Sequence, residues 1–126
     1  AATYAQARHQ VDVVRREIKQ VFATVDALIT PTQRGVAQPI APPQQATPGG
    51  RGGAAPPPGG GLVNTAAFDI YGLPTISVPC GFSTSGLPIG LQISANHFSE
   101  STVLALAHAY EQQTEWHKRR PELGAG

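Results

Sequence analysis

The hydroxyls that could attack a carbonyl are Ser77, Ser83, Ser85, Ser94, Ser99 and Ser101, and a lysine base could come only from Lys19 or Lys118. Nucleophilic catalysis by serine needs a base held against the hydroxyl, because the neutral hydroxyl is a weak nucleophile. Each serine here has a structural role open to it: Ser77 and Ser94 fall within strand patterns, Ser83 and Ser85 in a turn, Ser99 and Ser101 at a helix start. Lys19 sits on the polar side of a helical pattern and Lys118 in a basic cluster. Neither has the apolar surroundings that would activate an amine. A complete nucleophile–base pair is therefore not expected within this chain, and no catalytic residue is assigned.

The other reactive side chains read the same way. His9, His97, His108 and His117 show no His-Glu-x-x-His spacing and have no cysteine partners, so no metal site and no cofactor are expected. Cys80, the single cysteine, alternates onto an apolar strand face and reads as a buried, inert thiol. Gly49–Gly53 encloses one arginine, but a phosphate loop must join a strand to a helix, and low-complexity sequence flanks it on both sides. Pro39-Ile40-Ala41-Pro42 fits a PxxP pattern of the kind common in proline-rich linkers. Trp116-His117-Lys118-Arg119-Arg120 is the one basic cluster; Trp116 is expected to pack at a sheet edge and the cations to favour a helix C-terminus.

The elements that must hold these residues are legible from periodicity. Tyr4, Ala7, Val11, Val14, Ile18, Val21 and Val25 repeat at alternating steps of three and four, the seam of an amphipathic helix laid on a sheet. Val25–Thr30 reads as a short strand ended by Pro31, which has no N–H for a ladder. Pro31–Gly61 holds eight Pro and eight Gly, with Val36 and Ile40 as its only large apolar side chains. Such a segment cannot bury enough surface to offset its ordering entropy, which predicts a largely mobile loop. Asn64–Tyr71 reads as a short helix with Asn64 as N-cap and Gly72 as its stop. Two strands follow, with Ile76, Val78 and Cys80 on one face of the first and Ile89, Leu91 and Ile93 on one face of the second, joined through Ser85-Gly86. Ser99 is the expected N-cap of a last helix whose face is Val103, Leu106, Ala107, Tyr110 and Thr114, with Glu115 and Arg119 as an i,i+4 pair.

Composition excludes several classes. Among 126 residues only 13% are charged, for a formal net charge of +1, so nothing electrostatic points to nucleic acid or to an anionic membrane. No apolar run approaches the ~18 residues that span a bilayer, and no charged segment followed by an apolar one opens the chain. The sequence contains no Met and opens directly on helical periodicity, which reads as a piece of a longer protein. A cytoplasmic location is expected.

The order of elements carries a resemblance. The chain resembles the C-terminal end of the amidase signature family in Val25–Thr32, in Gly72-Leu73-Pro74-Thr75-Ile76-Ser77-Val78-Pro79-Cys80-Gly81, in Gly86-Leu87-Pro88-Ile89-Gly90-Leu91-Gln92, in Ala107–Gln112 and in Trp116-His117. That resemblance implies an α/β class, the C-terminal part of an α/β/α fold on a mixed sheet, with 1–126 forming a segment of one domain: helix plus strand over 1–30, loop over 31–61, then helix, hairpin and helix over 62–126. It implies amide hydrolysis by a Ser–Ser–Lys triad located upstream of this chain, on a small-molecule amide substrate. It also implies, as partner, the missing N-terminal part of the same domain; a homodimer is compatible with it. Neither direct nucleic-acid contact nor membrane attachment is expected.

The substrate-binding residues carried over are Thr32, Asn64 and Phe68, which border the family's substrate funnel. The glutamine-dependent aspartyl/glutamyl-tRNA amidotransferase A subunits of this family, the alternative reading, carry an acidic residue where this chain has Leu62, which favours a general amidase. A non-catalytic interaction module is the remaining alternative. It is disfavoured because the apolar faces and strand edges would stay exposed, and a sheet of two or three strands is marginal alone.

Overall fold

The computed structural model describes residues 2–37 and 64–121. Its elements are α1 (Ala2–Val21), β1 (Ala27–Pro31), α2 (Asn64–Tyr71), β2 (Thr75–Phe82), β3 (Pro88–Ala95) and α3 (Glu100–Gln113), followed by a single 3-10 turn at Trp116–Lys118. The strands form one antiparallel sheet in the order β1-β3-β2, so β3 is central. None of the described helices is long and apolar enough to cross a membrane.

Register follows from side-chain alternation. Ile76 and Ile29 both lie opposite Ile93, Val78 and Pro31 opposite Leu91, and Ala27 opposite Ala95. Directly opposed residues share a face, which gathers the apolar set on one side of the sheet. Helix α3 covers that side: Ala107 joins Val78 and Ile93 in the core, with Ala27, Ile76, Leu91 and Tyr110 packed around them. Burying Val78 and Ile93 almost completely contributes about 1.5–3 kcal/mol each. Thr75, Ser77, Gln92, Ser94 and Thr30 lie on the opposite, polar side.

The turns behave as their residues require. Gly72 takes φ 71° at the end of α2; its N–H bonds the Asp69 carbonyl and the Leu73 N–H bonds the Phe68 carbonyl. This is a Schellman closure, and Phe68 and Leu73, the residues joined by its longer bond, are both buried. In the hairpin, the Gly86 N–H bonds the Ser83 carbonyl, Gly86 takes φ 78°, and the Ser83 N–H closes onto the Leu87 carbonyl. The turn chemistry expected of Ser85-Gly86 is thus present. Trp116 packs beside Phe82 at the edge strand β2, with ring centroids 6.2 Å apart.

Several expectations are corrected. Strand β1 begins at Ala27 and includes Pro31 instead of ending before it. Pro31 is tolerated because the ladder bond there is made by the next residue, Thr32 N–H to the Gly90 carbonyl, which turns the proline nitrogen away from β3. Helix α1 has no buried residue and packs chiefly against α2 rather than on the sheet, held by the Arg15 guanidinium donating to the Ile70 carbonyl at 2.9 Å. Cys80 is only half-buried, because the register slips between Pro79 and Gly81 and leaves it unpaired at a bulge. Ser99 is the N-cap of α3, but its side chain makes no capping bond; its carbonyl accepts from Thr102 and Val103. Leu106 is exposed. Glu115 pairs with Lys118 at 2.8 Å, and Arg119 lies over the Phe82 ring at 4.1 Å. The cations belong to the 3-10 turn, since no basic residue falls in the last turn of α3. Of the expected loop, residues 38–61 lie outside the described residues, as does Leu62.

Candidate functional site

Where β1 ends, the chain passes across the central strand, and a small polar constellation forms. Thr32 Oγ1 and Ser77 Oγ are 2.6 Å apart, bridging the end of β1 to β2 over Gly90 of β3. A side chain at Gly90 would close this gap: a Cβ there would lie 2.7 Å from Thr32 Oγ1 and 2.8 Å from Ser77 Oγ. Glycine in this strand therefore serves close approach and not a bend. The Asn64 side-chain amide, on the first residue of α2, donates to the Pro31 carbonyl. That bond ties α2 to the end of β1, a different task from the N-cap expected of Asn64.

The constellation forms one wall of an open groove of ≈ 890 Å³ lined by residues 31–37, 77–79 and 88–90. Its walls are mostly small or apolar, including Pro31, Val36, Pro79 and Ile89, with Gln33, Arg34 and the Thr32 and Ser77 hydroxyls as polar features. Beneath the hydroxyls, Gln92 lies in register between Thr30 and Ser77. The Gln92 carboxamide and the Thr30 hydroxyl are buried without hydrogen-bond partners. One row further along, Thr75 Oγ1 and Ser94 Oγ pair at 2.9 Å.

The sequence-derived site residues part company here. Thr32 lines the groove and Asn64 reaches its rim through Pro31. Phe68 is instead buried, edge-on to Tyr71 at 5.9 Å between centroids. Ser77 and Gly90 join the groove without having been expected there. The signal that points to them in the sequence is Gly90 itself, a lone glycine inside an alternating strand pattern.

No catalytic pair assembles among the described residues. The Ser77 hydroxyl ends on Thr32, Ser83 and Ser85 bond each other across the hairpin turn at 2.9 Å, and Ser94 bonds Thr75. Lys118 ends on Glu115, whose carboxyl is held below the usual carboxylate range by that hydrogen bond and by the ammonium charge. His97 Nε2 meets the Tyr71 carbonyl at 3.0 Å, which ties the α2 terminus to the β3–α3 connection.

The sequence and the fold both have relatives. The family model described as Amidase matches residues 1–104. The A subunit of the glutamyl-tRNA(Gln) amidotransferase of Oceanobacillus iheyensis is 39% identical over 123 residues, 98% of this chain and 24% of that protein. Its counterpart from Thermodesulfovibrio yellowstonii is 36% identical over 97% of this chain, again 24% of the relative. A 6-aminohexanoate cyclic dimer hydrolase superposes with a TM-score of 0.68 at 31% identity, over 97% of this chain and 26% of its own. The crystal structure of the Thermotoga maritima glutamyl-tRNA(Gln) amidotransferase A subunit gives 0.64 at 27%, over 90% and 24%. The chain thus spans about a quarter of the length of the proteins it matches. A helix, a strand, a helix, a hairpin and a helix in one order, built on the Gly-Leu-Pro strand entries and matched by sequence and by structure, lead to one conclusion: this chain belongs to the amidase family.

Proposed function

We propose that this chain supplies sheet scaffold and one wall of the substrate pocket to an amide-hydrolysing domain. The Ser–Ser–Lys triad of that domain lies upstream of these residues, and the chain by itself is inactive. The observation that carries this reading is the fate of the polar groups at the groove and beyond it: Ser77 ends on a hydroxyl and Lys118 on a carboxylate, so neither is an activated nucleophile or base. Thr32 and Asn64 contribute the pocket wall, and Phe68 supports it from the core. The substrate is a small linear amide, the location is cytoplasmic, and the partner is the upstream part of the same domain.

A second reading, a transamidation component working in a complex, is favoured by the names of the curated relatives, which are amidotransferase A subunits. Leu62, in place of an acidic residue, weighs against glutamine as the amide donor. The test is a turnover assay on the chain joined to the upstream polypeptide. The first reading expects hydrolysis of a simple aryl amide and little glutaminase activity. Glutaminase activity without aryl-amide turnover would favour the second, and neither activity would remove the enzymatic reading.

A further inference from the structure

On the polar side of the sheet, the hydroxyls on either side of Gln92 close on one another. Toward the groove, Thr32 Oγ1 and Ser77 Oγ meet at 2.6 Å over Gly90. In the other direction, Thr75 Oγ1 and Ser94 Oγ pair at 2.9 Å. Between these two bonds stand Thr30 and Gln92, opposed in register on β1 and β3, and their polar atoms do not close. Gln92 is 1% exposed, yet neither its Nε2 nor its Oε1 has a hydrogen-bond partner among the described residues, and the buried Thr30 Oγ1 has none either. A carboxamide carries two N–H donors and an oxygen with two lone pairs, and a hydroxyl carries one donor and two lone pairs. Burying such groups unmet is costly enough that the great majority in folded proteins are bonded to protein or to ordered water.

The chemistry of the row specifies the partner. Thr30 and Gln92 are neutral and offer donors and acceptors together, so the partner must both donate and accept. No carboxylate stands in the row to balance a cation, and no group of metal-ligating side chains occurs among the described residues. Neither Thr30 nor Gln92 lines the groove, and Gln92 is closed off from solvent, so the partner is small. The neighbours of Gln92 on its own face are all small: Gly90 and Ser94 along β3, Thr30 and Ser77 across it. No bulky side chain of the sheet competes for the space around the carboxamide.

We propose that the Gln92 carboxamide and the Thr30 hydroxyl hold an internal water between β1 and β3, in the row beneath the groove wall. Water is neutral and small, and it brings two donors and two lone pairs. Interior waters occupy sites of this kind, where they make about three hydrogen bonds to polar groups that lack other partners. The bound water ties Thr30, the one hydroxyl of β1, to the central strand next to the Thr32–Ser77 pair. The inference stands apart from the amidase reading, since it needs neither a triad nor turnover.

The test is a crystal structure of the chain joined to the upstream polypeptide, at a resolution that orders internal solvent, together with oxygen-17 relaxation dispersion of the same protein in solution. A water is expected within about 2.7–3.2 Å of Thr30 Oγ1 and of one carboxamide atom of Gln92. In solution, the amplitude from long-lived waters is expected to fall by about one molecule when Thr30→Val and Gln92→Met are combined, because they remove the polar atoms at similar volume. A direct Gln92–Thr30 bond, a group of the upstream polypeptide in the position assigned to water, or an amplitude unchanged in the double variant overturns the proposal. Where the double variant does not fold, the crystal structure of the unaltered protein decides: ordered water at these atoms supports the site, and its lack overturns it. Absence of amide turnover alongside the ordered water overturns the amidase reading and leaves this site standing.

Discussion

Replacing Gly90 with alanine tests the geometry on which the groove wall depends. The added Cβ would sit 2.7 Å from Thr32 Oγ1, 2.8 Å from Ser77 Oγ and 3.1 Å from Thr32 Cβ. The first two distances are shorter than real contacts of that kind, so the hydroxyls must rotate away or the strands must spread. Rotation forfeits the hydroxyl–hydroxyl bond, worth about 1 kcal/mol. The Thr32 Cβ contact remains, and relieving it is an overpacking cost of about 1–3 kcal/mol. A total of about 2–3 kcal/mol is expected. The assay is a urea titration followed by circular dichroism and by the single tryptophan, Trp116. TMAO is present throughout, because an excluded osmolyte strengthens burial and brings a small sheet into a measurable range. The same substitution is then made in a chain already carrying Thr32→Ala and Ser77→Ala, where both oxygens are gone. There the contact with the Cβ of residue 32 persists, so the substitution is expected to cost about 1–2 kcal/mol, a coupling of about 1 kcal/mol in the double-mutant sense. A neutral Gly90→Ala, or an equal cost in both backgrounds, would refute the claim that glycine is present for the hydroxyl pair.

Gly72→Ala is expected to cost about 1–2 kcal/mol, since φ 71° is left-handed backbone that a Cβ disfavours, and Gly72→Asn should cost less; the two denaturation midpoints decide this. Ile93 and Ile29 oppose each other in register, yet one is buried and the other 62% exposed. Ile93→Ala should therefore cost about 2–5 kcal/mol and Ile29→Ala within about 0.5 kcal/mol, and similar costs would contradict the assigned core. Arg119→Ala should lower stability by about 0.5–1 kcal/mol through loss of its contact with the Phe82 ring, with Arg119→Lys intermediate in the same titration. Glu115 is a carboxylate whose acidity is increased by Lys118, so its contribution is present at neutral pH and lost as pH falls through its lowered value. Because the pair is exposed, Glu115→Gln should leave the melting temperature at physiological ionic strength unchanged, and a shift of several degrees would show that the pair is less screened than its exposure indicates.

What is readable from residues alone depends on whether local chemistry decides the outcome. The hairpin is legible because Gly86 and the alternation of Ile76, Val78, Leu91 and Ile93 specify turn and face together. The stop at Gly72 is legible for the same local reason. Less legible is anything set by two distant segments. Thr32 meets Ser77 across 45 positions of sequence, and only the glycine between them in space hints at the contact. Phe68 resembles a pocket residue because its helix borders the expected funnel, but its ring is buried and set edge-on to Tyr71. The seam of α1 reads as sheet-facing and meets α2 instead, since periodicity states that a face is apolar and not what covers it. Cys80 follows alternation in the sequence, and the bulge at Pro79–Gly81 breaks that alternation before it can bury the thiol.

The central claim is that these residues supply scaffold and pocket while the chemistry lies elsewhere in the domain. Its most direct measurement is the hydrolysis of a simple aryl amide by the purified 126-residue chain, with Ser77→Ala and Lys118→Ala variants alongside. A rate indistinguishable from buffer is predicted for all three. Turnover by the chain that disappears in either variant would contradict the claim.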